Sequence, residues 1–234
     1  MERLDKVGVN STAKAIGILL LVQMFAGIWL NFFFYKPLFA DPLVLSKDTL
    51  NAMIGFGVLL AIALSAINFT ICMAVRKWLH GRLKNHFIWA LSLAGLALCL
   101  TIYESVQFSE LGAWIVYANG QAAESLPIAD EHIRQVLAIG RNKAHFMAIL
   151  ISSVSILAFY SLLLRAKFLP TPLMWFAVTA CILQVIAVAH AQFDLTIPML
   201  LQLPLAINQL VLPLYLLFKG FNQEQLFTGE QASE

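Results

Sequence analysis

Six apolar stretches, each close to the roughly 20 residues that an α-helix needs to cross a hydrocarbon core of about 30 Å, leave this chain few ways to fold. They cover residues 15–35, 52–75, 86–108, 142–164, 173–193 and 199–218. The expected fold is all-α, a polytopic membrane protein built as a six-transmembrane helix bundle. One domain is expected over residues 1–220, followed by a polar C-terminal tail at 221–234. Composition agrees, because 60% of the 234 residues are hydrophobic and only 12% charged, about half the charged fraction usual for soluble domains.

The first stretch is too long for the core of a cleaved signal peptide. It also ends in the bulky run Asn31-Phe32-Phe33-Phe34-Tyr35, where a peptidase needs small residues. Lys36 to Asn51, with Pro37, Pro42 and Asp48, reads as a loop. The one long connection, Leu111 to Gly140, is not uniformly polar. Ile133, Val136 and Leu137 recur there at helical spacing after Pro127 and the acidic pair Asp130-Glu131. A short extracytoplasmic amphipathic helix between spans three and four is expected, lying on the membrane or capping the bundle.

The flanks set the orientation. A cytoplasmic N-terminus puts Arg3, Lys6, Lys14, Arg76, Lys77 and Arg82 inside, together with Lys84, Arg165, Lys167 and Lys219. That is ten of the fifteen basic residues, so the positive-inside rule places both termini in the cytoplasm. A net charge of +2 spread over such scattered positions offers no nucleic-acid surface. The chain carries no phosphate loop, dinucleotide fingerprint or nucleophile elbow. Cys72, Cys99 and Cys181 all fall inside apolar segments and read as small packing residues.

Polar residues inside the spans are expensive and mark a site or helix-packing glue. In this orientation they gather in the outer half of the membrane. Asn31 falls near the outer end of span one and Glu104 near that of span three. Arg141 and His145 open span four, His190 and Asp194 close span five, and Gln202 opens span six. Arg141 with His145, and His190 with Asp194, are four apart and share a helix face. Gln23, Gly27 and Asn31 form a similar stripe. An outward-opening polar pocket between spans three, four, five and six is therefore expected, with Glu104 and Asp194 as counter-charges. Each residue also has a plainer reading. Arg141 and Lys143 can snorkel to the interface, His190 and Asp194 can form an interfacial pair beside a turn, and Asn68, Gln184, Asn208 and Gln209 can be interhelical glue.

The chain resembles the bacterial membrane family catalogued as domain of unknown function 4386. The resemblance rests on Ala15-Ile16-Gly17-Ile18-Leu19, Arg141-Asn142-Lys143-Ala144-His145-Phe146, the segment Leu162 to Pro170, and Leu216-Leu217-Phe218-Lys219-Gly220-Phe221. It implies a compact six-helix protein of the bacterial inner membrane and brings no activity, substrate or catalytic residue with it.

Two functional readings follow. The first is binding or sensing of a small polar or amphiphilic ligand by Asn31, Glu104, Arg141, His145, His190, Asp194 and Gln202, with a purely structural bundle as its plain form. The second is an intramembrane metal-dependent hydrolase acting on a lipid-like substrate. It would hold zinc on His145, His190 and Asp194 and use Glu104 as general base, since zinc catalysis needs about three protein ligands and an open position for water. A transporter is the weakest reading, because the inner half looks closed and no inverted repeat is visible. The partners expected are the lipid bilayer and the ligand. The sequence leaves the oligomeric state open.

Overall fold

Inside a bilayer no water is present to satisfy a backbone amide, so each apolar run must bond within itself, and a helix does this. The computed structural model describes residues 2–35, 46–79, 81–119 and 128–222. It has six long helices: α1 Glu2–Trp29, α2 Lys47–Val75, α3 Lys84–Asn119, α4 Ile128–Ala166, α5 Thr171–Gln192 and α6 Leu203–Phe218. All six are long and apolar enough to cross a membrane, and no strand occurs among the described residues. Short single-turn pieces adjoin four of them: a π-helix at Leu30–Phe34, and 3-10 turns at Arg76–Trp78, Gly81–Leu83 and Met199–Leu201.

Neighbours in sequence are neighbours in space, and α1 closes the circle by packing on α6. The start of α1 and the end of α6 therefore lie at one end of the bundle, where one core draws on all six helices. It includes Ile16 of α1, Ile71 of α2, Ala94 of α3, Leu163 of α4, Met174 of α5 and Leu212 of α6. A smaller core at the opposite end joins α1, α2 and α3 through Leu30, Leu50, Ile54, Phe108, Leu111 and Ile115. Buried hydroxyls are satisfied locally or across helices, as where Thr101 Oγ1 bonds Ser65 Oγ at 3.2 Å and the Ala97 carbonyl at 3.0 Å.

Three helix ends turn through the left-handed region. Gly220 does so at φ 74°, Lys167 at 53° and Asp194 at 56°. The Phe168 amide reaches back to the Leu163 carbonyl at 3.3 Å to close the α4 end. Past α6, Phe221 is buried against Phe168 with ring centroids 5.1 Å apart, so the polar tail begins only after it. Residues 223–234 of that tail, and residues 36–45 of the first expected loop, lie outside the described residues.

The stretch between spans three and four departs from expectation. Leu111 to Asn119 continues α3, and Ile128 to Gly140 is the start of α4, so no separate amphipathic helix stands among the described residues. The two helices run 36 and 39 residues, about 54 and 58 Å at 1.5 Å per residue, well beyond a hydrocarbon core of roughly 30 Å. What holds the extensions helical is their mutual packing. Leu137 and Ala138 of α4 lie against the small core that contains Leu111, Ile115 and Val116 of α3. Of the three residues whose spacing suggested a surface helix only Leu137 faces inward, while Ile133 and Val136 are exposed.

Candidate functional site

Arg141 and His145, one turn apart on α4, meet Glu104 of α3. The Glu104 Oε1 is 2.7 Å from His145 Nδ1 and 3.6 Å from Arg141 Nη2. These side chains are 16% (Glu104), 11% (Arg141) and 24% (His145) exposed, so the cluster is sheltered rather than a surface ion pair. A carboxylate has no proton to give. The hydrogen bond is therefore donated by His145 Nδ1–H, a charge-assisted contact.

The Arg141 guanidinium also faces the rings of Tyr35 and Phe108, 5.8 Å from each centroid. Tyr35 arrives there through the π-helix at Leu30–Phe34, whose wider turn the Tyr35 amide closes on the Leu30 carbonyl. Behind it an aromatic chain ties α1 to its neighbours. Phe34 lies 5.6 Å from Phe56, and Tyr35 lies 5.1 Å from Phe108.

Through His145 the cluster reaches a cavity of about 570 Å³. Its walls are mostly apolar, with Leu20 and Met24 of α1, Ile71 of α2, and Ile149, Ile156 and Phe159 of α4. Uncharged polar groups punctuate them: Gln23 of α1, Asn31 of the π-helix that follows it, Asn68 of α2, Ser155 and Tyr160 of α4, Gln202 just before α6, and Gln209 within it. Some of these are already engaged. Gln23 Nε2 bonds the Leu64 carbonyl at 3.1 Å, and Asn31 Nδ2 bonds the Gly27 carbonyl at 2.9 Å. Pro213, also in the wall, lies inside α6 and has no N–H to offer the Gln209 carbonyl one turn before it. Gly27 belongs to the wall as well, and a Cβ built on it would meet nothing within 4 Å.

The cavity is thus lined by α1, α2, α4 and α6, not by spans three to six as the sequence suggested. Of the expected ligand-binding residues, Asn31, His145 and Gln202 line it. Glu104 and Arg141 stand behind His145. Asp194 and His190 are elsewhere. The left-handed conformation of Asp194 belongs to the turn after α5, and its carboxylate pairs with Lys143 Nζ at 2.5 Å. His190 Nδ1 bonds the Ile186 carbonyl of its own helix at 2.8 Å.

The zinc set His145, His190 and Asp194 is consequently not assembled. Among the described residues no three His, Cys, Asp or Glu side chains gather as a metal site would require. The stripe Gln23, Gly27 and Asn31 was the sequence signal for the α1 wall. Asn68 and Gln209 read equally well as packing glue, and nothing in the sequence marked Tyr160 or Pro213.

Residues 15–220 match the protein family described as Domain of unknown function (DUF4386). No curated protein and no solved structure matches the chain.

Proposed function

The chain belongs to the DUF4386 family, a membership that carries no activity with it, and we propose from its cavity that it binds or senses a small amphiphile within the membrane. The single observation behind this reading is the 570 Å³ cavity with apolar walls and a few uncharged polar groups, the balance found in sites for small amphipathic ligands. Ile28 and Phe32 both line the cavity and are exposed at 44% and 65%, so its wall opens beside α1, on a flank that would face lipid. A ligand partitioned in the bilayer would reach the cavity sideways without crossing water.

Gly27→Leu tests this directly. A Cβ at Gly27 would meet nothing within 4 Å, so a leucine there enters open space from the cavity wall. The variant is expected to fold and melt like the wild type while losing the stabilisation that a bound amphiphile gives, about 2.7 kcal/mol at one hundred times its Kd. The readout is the thermal shift of the purified chain over a panel of lipids and single-chain amphiphiles. A wild type that shifts with no member of the panel, or a Gly27→Leu variant that shifts as much as the wild type, leaves the purely structural reading instead. The hydrolase reading has no assembled ligand set among the described residues to support it. Transport would need a path through the all-helix core at the end that holds the termini.

We further propose that both termini are cytoplasmic and that the His145 end of the cavity faces outward. The basic residues Arg76, Lys77, Arg165, Lys167 and Lys219 all sit at the terminal end. Lys143 is exposed, and a Lys143→Cys variant is then expected to react with a membrane-impermeant maleimide on intact cells. Labelling only after the membrane is breached would reverse the orientation.

A further inference from the structure

From the His145–Glu104 contact we infer what kind of head group the cavity selects: uncharged and hydroxyl-bearing, at the end of a single apolar chain. This rests on the amphiphile-binding reading and narrows it.

Donors and acceptors around His145 can be counted one by one. Glu104 is ion-paired with Arg141, a cation that stays protonated in proteins, so it accepts and does not donate. Its partner atom is His145 Nδ1, 2.7 Å away, which must carry the ring proton. In the neutral imidazole this fixes the tautomer, and Nε2 is left as an acceptor on a ring that lines the cavity. The Glu104 and Arg141 charges cancel, so the pair attracts neither an anion nor a cation.

The remaining polar lining gives the same answer. It consists of carboxamides and hydroxyls, with no Lys, Arg, Asp or Glu among the described residues of the wall. A carboxylate, phosphate or ammonium head would lie in this low-dielectric space with no counter-charge, which is strongly unfavourable. His145 Nε2 asks for a donor, and a hydroxyl gives one. An ether of the same length and shape gives none, so it would leave Nε2 desolvated and unpaired.

The apolar wall that runs inward from His145 suits one chain and not two. Along α4 the lining runs from His145 to Tyr160, about 22 Å at 1.5 Å per residue, the length of an extended chain of sixteen to eighteen carbons. A volume of 570 Å³ leaves little room for a second.

The test offers hexadecan-1-ol and its isomer 1-methoxypentadecane, in separate samples at equal concentration, to the full-length chain in micelles of lauryldimethylamine oxide, a detergent without a hydroxyl, counting bound adducts by native mass spectrometry. Wild type is expected to retain the alcohol over the ether by about tenfold, the range expected for leaving one buried acceptor unpaired. His145→Phe, which keeps the ring but removes the acceptor, is expected to hold both equally, and Gly27→Leu to hold neither. Equal retention of the two probes by wild type overturns the hydroxyl preference while leaving an amphiphile site in place. Retention of neither probe by wild type removes the binding reading together with it. A preference that survives in His145→Phe overturns the assignment to His145. The comparison within wild type decides the main point even if His145→Phe fails to fold. Hexadecanoate, added as a third probe, is expected not to bind, and its retention at the alcohol's level overturns the uncharged head.

Discussion

Replacing Glu104 with alanine is expected to lower the apparent melting temperature of the detergent-purified chain by roughly 10 °C, among the largest losses for any single polar side chain. Removing one member of a buried ion pair costs about 3–5 kcal/mol, because the other is left desolvated without its counter-charge. In a domain of this size each kcal/mol moves the midpoint by about 2–4 °C. Glu104 has two dependants, since Arg141 is only 11% exposed and His145 takes its ring orientation from the same carboxylate oxygen. Part of the cost is offset because Arg141 keeps its contacts with the Tyr35 and Phe108 rings, which places the estimate toward the middle of the range. The cycle that isolates the pair adds Arg141→Met to Glu104→Met. The double variant should recover most of the loss, since a matched apolar pair leaves no unpaired charge. A drop of under about 2 °C in Glu104→Ala would show a carboxylate exposed to water and remove the basis for a fixed His145 tautomer.

The same cluster shows what could be read in advance and what could not. The six spans were legible because length and hydropathy set them almost alone, and the Arg141–His145 face followed from a spacing of four. Glu104 was legible as their counter-charge, since an acid at membrane depth needs a partner. The pairing of His190 with Asp194 was inferred on the same spacing and does not form. Asp194 lies past the end of α5 in a left-handed turn, where helical spacing no longer says which way a side chain points. The long connection failed for a related reason. Its residues look marginal for a helix on their own, yet Leu137 and Ala138 of α4 pack on the core that α3 extends, and tertiary contact outweighs local preference. Which helices face the cavity was hidden because a ring of six can place its void against several sets of four. Residue spacing determines the polar face of each helix but not the rotation of one helix against the next.

Gly17 and Gly27 lie on one helix ten residues apart, and equal substitutions there should have opposite results. At Gly17 an added Cβ would come within 2.9 Å of the Pro213 carbonyl oxygen, 3.1 Å of Leu217 Cγ and 3.3 Å of Leu216 Cβ. The first of these is backbone, so relief requires moving α6 and not merely turning a side chain. Close approach of two membrane helices across a small residue is how such interfaces gain their dispersion energy. Forcing in one methyl costs about 1–3 kcal/mol. Gly17→Ala is therefore expected to lower the melting temperature by about 5 °C, at 2–4 °C per kcal/mol. Gly17→Leu is expected to abolish a well-folded product, because its side chain would drive α6 away from α1. Gly27→Ala removes a helix-weakening glycine, worth up to about 1 kcal/mol in exposed helices, and meets no neighbour within 4 Å, so its melting temperature should stay level or rise. The contrast follows from Gly17 facing the α6 backbone while Gly27, in the cavity wall, faces open space. Thermal melts of the four variants beside wild type measure it. A neutral Gly17→Ala would mean that α1 and α6 are not in close contact there, and a Gly27→Ala as damaging as Gly17→Ala would mean that the cavity wall at Gly27 is closed.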